Sequence, residues 1–130
     1  MKPIVISTSQ QEEFLDITDQ VNDIVGQSSP TDGVCLVFCP HTTAGLTINE
    51  SADPAVILDM RSEFRHLVPD EGHWQHLEGN SPAHVKASLM GSSVMLPVVG
   101  GKLKLGTWQG VFLCEFDGPR TREVWVQTTS

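Results

Sequence analysis

The sequence predicts an α+β domain of antiparallel β-sheets around two central helices. Three observations predict it. Apolar, β-rich runs occupy both ends of the chain, two helix-start signals (Asp53-Pro54 and Ser81-Pro82) lie between them, and strands and helices do not alternate as a βαβ unit would require. The 130 residues are read as one domain, 1–130, long enough to bury a core without disulfides or a structural metal.

Ile4-Val5-Ile6 opens a first strand and Phe14 to Ile17 a second. Thr18-Asp19 is placed to cap a short helix that stops at Gly26. Ser28 to Gly33, with Pro30, is a loop signal. The unbroken apolar run 34–39 predicts a strand buried on both faces. Pro40 ends it. Beyond it, Ala44, Leu46 and Ile48 alternate with Thr43, Gly45, Thr47 and Asn49, so the first set faces the core and the second, with His41, faces away. Asp53-Pro54 starts a helix with Ile57, Met60, Phe64 and Leu67 on one stripe, ended by Pro69. Ser81-Pro82 repeats the cap-plus-proline signal, and Gly91 stops that second central helix after Met90. Val94 to Val99, the Gly100-Gly101 turn and Leu103 to Leu105 form a hairpin. Trp108 to Phe116, a turn at Asp117-Gly118-Pro119 and Glu123 to Gln127 complete the β structure.

Sixteen acids against eight bases give a net charge of −8, with no basic cluster. Phosphate neutralisation supplies much of nucleic-acid affinity, so this composition argues against nucleic acid and against anionic membrane as partners. No apolar run approaches the roughly 20 residues of a membrane span. Cys35 and Cys39, on one strand, would stand roughly 13 Å apart, too far for a disulfide. Buried thiols in a reducing cytoplasm are the expectation, and the chain is expected to be cytoplasmic.

Five histidines give the first chemical signal, four of them between His66 and His84. His66 falls on the polar side of its helix and His73 in a polar loop; both read as solvated. His76 and His84 flank the second helix start, where the helix dipole favours a neutral imidazole fit to bind metal or act as base. His41 follows the buried strand. Asn49, Glu50 and Asp53 form a polar knot in which Asp53 already has a capping role. A straight strand would hold His41 and Asn49 roughly 26 Å apart, so they share a site only if the strand bends or a second subunit contributes. Gly106-Thr107-Trp108-Gln109-Gly110 offers close backbone approach or a β-bulge. Arg120 and Arg122 are placed to clamp a phosphate or to lie solvated at a hairpin end. No nucleophile elbow, P-loop or dinucleotide fingerprint is present.

The run His41-Thr42-Thr43-Ala44-Gly45-Leu46-Thr47-Ile48-Asn49-Glu50, with Asp53-Pro54 and Asp59, resembles the first signature of the YjbQ-like family. His76-Leu77-Glu78-Gly79-Asn80 with Ala83-His84-Val85-Lys86 resembles the second, and Gly106 to Gly110 with Glu115 to Arg120 the third. Gly45 stands where that family often has serine. The resemblance implies a homotrimer whose signatures meet near subunit interfaces. It also implies a secondary thiamine-phosphate synthase activity, which joins a hydroxymethylpyrimidine diphosphate to a thiazole phosphate and releases pyrophosphate. On that basis His41, Asn49, Glu50, Asp53, His76 and His84 are the expected catalytic residues, and Lys86, Thr107, Trp108, Gln109 and Arg120 the expected contacts to a phosphorylated substrate. His41, His76 and His84 are the expected ligands of a divalent metal, zinc or magnesium, with Glu50 or Asp59 in support. The competing expectations are a metal-assisted hydrolase of another small molecule and a non-enzymatic small-molecule binding module.

Overall fold

The computed structural model describes residues 1–28, 31–72 and 74–130, so His73 and part of the Ser28–Gly33 loop signal lie outside the described residues. The elements are β1 (Lys2–Ser7), β2 (Glu13–Asp16), α1 (Thr18–Gly26), β3 (Gly33–Phe38), β4 (Ala44–Glu50), α2 (Pro54–Leu67), α3 (Ser81–Met90), β5 (Ser93–Val99), β6 (Lys102–Leu103), β7 (Gln109–Glu115) and β8 (Thr121–Thr129). They form a five-stranded sheet, β1-β8-β3-β5-β6, and a three-stranded sheet, β2-β7-β4. Every described pairing is antiparallel.

Strand periodicity decides where the core sits. Along β7, Val111 and Leu113 join a cluster with Val37, Leu46, Val124 and Val126, between the two sheets and under α1. Phe112 and Cys114 face the other way and join Ala83 and Ala87 of α3, with Phe14 and Ile57 packed alongside. The three-stranded sheet is therefore covered on both faces, and β7 is buried from Gly110 onward. The five-stranded sheet is not. Cys35 and Val37 are inaccessible, whereas Leu36 between them is 36% exposed, so β3 alternates instead of being buried on both faces.

The back of β4 departs from its expected polar exposure. Thr43 and Gly45 are buried there, and α3 lies against Gly45. A Cβ at Gly45 would meet the Gly91 carbonyl oxygen at 2.7 Å and the Met90 Cβ at 2.9 Å, so the missing side chain sets the approach of strand to helix. Asp53 caps α2 as its sequence suggests, its Oδ1 accepting from Ala55 N at 2.9 Å. The other two caps differ. Asp16 Oδ1, not Thr18, accepts from Thr18 N at 2.9 Å, while Thr18 Oγ1 accepts from Val111 N. The residue before α3 is Asn80, not Ser81, and its side chain bonds Asp117. The α2 stripe is only half-buried: Phe64 stacks against Phe14 and Phe116, with centroids 6.4 and 5.9 Å away, but Leu67 is 64% exposed. Gly100 and Gly101, at φ 60° and 76°, make the hairpin turn.

Candidate functional site

His41 sits just past the end of β3, beside β8. Its Nε2 accepts from the backbone N–H of Glu123 at 2.9 Å. A nitrogen that accepts a hydrogen bond carries no proton, so a neutral ring here bears its hydrogen on Nδ1. Burial, then the positive charge of Arg122, hold this imidazole below its ordinary value of 6.5, against the pull of the Glu115 and Glu123 carboxylates. Across from it stands His84 of α3. The two line one cleft of about 480 Å³ together with Thr42, Ser88 and Ser92. The ring of His84 also meets that of His76 edge to face, centroids 5.3 Å apart. His76 is more exposed and lies 3.9 Å from the Glu78 carboxylate.

The structure thus brings His41 to His84 and His84 to His76. It does not make them a metal centre: among the described residues of the chain no group of three or more His, Cys, Asp or Glu is placed to hold a metal ion. The Nε2 of His41 is also already engaged by Glu123. These side chains do not fit the metal that the sequence resemblance implies.

Asn49, Glu50 and Asp53 lie elsewhere. The register of β4 on β7 is unbroken from Ala44 to Glu50, so the strand does not bend back, and its ends stand roughly 20 Å apart. At that far end Glu50 pairs with Gln109, and Ser51 N donates to the Trp108 carbonyl at 2.8 Å. Glu50 and Asp53 line a second cleft, of about 310 Å³, floored by Phe14, Ile57 and Phe112. The side chain of Asn49 is turned inward locally, accepting from Glu50 N at 2.7 Å and lying 3.3 Å from Met60 Sδ. Thr107 and Trp108 are exposed in the turn before β7, and Gln109 Oε1 closes that turn by accepting from Gly106 N.

The two cationic residues among the expected phosphate contacts are both engaged. Lys86 is 2% exposed and its Nζ lies 3.0 Å from Glu12 Oε1. Arg120 donates to the carbonyl and carboxylate of Asp117. In the first turn of α3, Pro82 has no N–H, and those of Ala83 and His84 both donate to Asn80 O. Arg122 is neither a clamp nor a solvated end. It is 2% exposed, forks onto the fully buried Glu115 carboxylate, and donates to Thr43 Oγ1 at 2.9 Å. Thr8 Oγ1 and Asp117 N also donate to Glu115, at 2.8 and 3.0 Å. Burial pushes the Glu115 carboxyl up, but the hydrogen bonds of Arg122, Asp117 and Thr8 outweigh it and hold the group ionised below its ordinary value.

The buried pair Glu115–Arg122 was legible in principle. Arg122 shares its strand parity with the apolar Val124 and Val126, and Glu115 with Leu113, so both charges fall at inward positions and need partners. Nothing in the sequence marks Glu12 as the partner of Lys86. The three cysteines are buried and free, with burial pushing the Cys35 thiol up to about 11.

The sequence profile of the YjbQ-like UPF0047 proteins matches residues 2–130. The chain is 48% identical over 122 residues to the UPF0047 protein MJ1081 of Methanocaldococcus jannaschii, covering 94% of this chain and 88% of that protein. It is 46% identical over 128 residues to the UPF0047 protein YugU of Bacillus subtilis, covering 98% and 97%. A crystal structure of a YjbQ/UPF0047 protein from Clostridium acetobutylicum superposes with a TM-score of 0.97 at 50% identity, over 99% of this chain and 100% of that one. A YbjQ-like protein of unknown function from Sulfolobus solfataricus superposes at 0.93 with 38% identity, over 98% and 94%. On this evidence of sequence and fold, the chain belongs to the YjbQ-like UPF0047 family.

Proposed function

We propose that the cleft between His41 and His84 is the reaction site of a small-molecule enzyme with a slow thiamine-phosphate synthase activity. The observation that carries this reading is that His41 and His84 line one cleft while the ring of His84 meets that of His76. In this transfer the thiazole ring nitrogen attacks the methylene carbon of the pyrimidine diphosphate with its lone pair. The carbon–oxygen bond breaks and pyrophosphate leaves with the electrons. The nucleophile has no proton to lose, so the protein's task is to position both partners and to neutralise the leaving group. His84, its ring set against that of His76, supplies the proton to pyrophosphate. His41 Nδ1–H supplies a fixed donor.

The reaction is written without a metal, because the side chains do not form a metal group. Lys86, Arg120 and Arg122 are each held by a carboxylate, which leaves the pyrophosphate the imidazoles and the hydroxyls of Thr42, Ser88 and Ser92 to lean on. That scarcity of free cations suits a side activity. A binding module would use the same cleft for a phosphorylated ligand and release it unchanged. Incubating the purified protein with both phosphorylated substrates separates these readings: thiamine phosphate and pyrophosphate in equal amounts support the transfer, and saturable binding without product supports the module.

The assembly belongs to the same proposal. The outer face of the five-stranded sheet presents Val5, Leu36, Met95 and Val99, which are 66%, 36%, 68% and 54% exposed. Between them Phe38 and Trp125 pack with centroids 5.8 Å apart. An apolar face of this extent marks an interface, and we assign it to a homotrimer. Glu123, which holds His41, lies two residues from Trp125, so the cleft borders this face. Light scattering of the purified protein should give three chain masses, and Met95→Glu should reduce them.

A further inference from the structure

A small cavity on the other side of α3 has polar needs that the chain leaves unmet. Its volume is about 100 Å³, and Glu12, Asn80, Lys86 and Asp117 are among its lining residues. The Glu12 side chain is 10% exposed and meets Lys86 Nζ through Oε1 alone; its Oε2 is buried without a partner. The Asn80 amide donates to Asp117 Oδ2 at 2.9 Å, and its Oδ1 is likewise buried without a partner. Two unpaired acceptors on separate segments therefore border one cavity. An unmet buried acceptor costs roughly 1–3 kcal/mol, so an occupant bearing N–H or O–H donors is called for.

Charge narrows its chemistry. Asp70 and Glu78 also line the cavity, making four carboxylates with Glu12 and Asp117. Against them stand the Lys86 ammonium, Arg120 paired with Asp117, and Arg61, which donates to the Glu12 carbonyl at 2.8 Å and whose Nε is buried without a partner, so the acids still exceed the bases by one. A cation is favoured over a neutral donor. A bare metal ion is not, since no group of three His, Cys, Asp or Glu among the described residues is placed to coordinate one. The volume has room for about three waters, at roughly 30 Å³ each, or for one amine of two or three heavy atoms.

We infer that this cavity is a binding site for the protonated amino group of a small molecule, held by Glu12 Oε2 and Asn80 Oδ1. The site does not depend on the reaction proposed for the histidine cleft. The test titrates the intact protein with methylammonium and follows the Asn80 side-chain amide by NMR, with potassium ion, of equal charge and small enough to enter but without N–H donors, as control. Saturable shifts with methylammonium alone are expected. Glu12→Gln should weaken binding by at least about tenfold, the loss expected of a charge-assisted hydrogen bond. Because that variant leaves Lys86 unpaired and could fail to fold, Ala83→Val serves beside it. Ala83 lines the cavity and also packs in the cluster with Phe112 and Phe116, so binding is compared on protein whose circular dichroism is unchanged, in which it should be lost. Equal responses to the two cations, or binding undiminished in folded Ala83→Val, would overturn the site. So would a crystal structure of the soaked protein with the Glu12 carboxylate closed on the unpartnered Arg61 Nε, or with only water in the cavity.

Discussion

The backbone N–H of Glu123 donates to Nε2 of His41 at 2.9 Å, and this bond fixes what His41 offers to the cleft. Long-range nitrogen–proton NMR spectra should show the Nδ1–H tautomer, neutral at pH 7. With its folded pKa below 6.5, the unfolded chain takes up the proton first as pH falls. The stability contributed by neutral His41 is full above pH 6.5 and is lost as pH drops through the lower folded value. A denaturation series between pH 8 and 5 checks the direction; His41→Asn should flatten the part of the slope that falls below 6.5.

Glu115 and Arg122 bury opposite charges between the sheets, next to Thr43 and Glu123, which flank and hold His41. Removing one partner strands the other, at a cost of about 3–5 kcal/mol. Urea titration of Arg122→Met or Glu115→Gln should show such a loss. The double variant should recover part of it, since neither charge then remains buried and unpaired. In the wild type the contribution of Glu115 is present above its ordinary pKa of 4.5 and disappears as pH falls through the depressed folded value.

Gly45 is a packing requirement of this chain. A serine there would put its Cβ 2.7 Å from a backbone oxygen of Gly91. Gly45→Ser should destabilise the protein by about 1–3 kcal/mol, the range for overpacking a filled contact. Thermal unfolding checks it, and a second substitution nearby that lets the end of α3 move outward should restore the loss.

The sequence reveals the elements well because their signals are local. Asp53-Pro54, Gly91 and Gly100-Gly101 each act within a few residues. It fails where the deciding contact is distant. The exposure of Leu36 depends on what covers the outer face of β3, and the burial of Lys86 on Glu12, 74 residues earlier in the chain. The candidate site follows the same division. His76 and His84 are neighbours in sequence and meet in space. His41 reaches them only because the close packing of α3 on Gly45 brings the start of β4 to the helix. Asn49, Glu50, Asp53, Trp108 and Gln109 gather at the opposite end of the same straight strand.

The measurement that bears most directly on the histidine cleft is the rate of thiamine phosphate formation by His84→Ala beside the wild type, with folding checked by circular dichroism. General acid catalysis contributes roughly 10²- to 10⁴-fold, so a fall of at least about 100-fold in kcat is expected in a protein that still folds. A folded His84→Ala protein that turns over at the wild-type rate would contradict the assignment of the cleft.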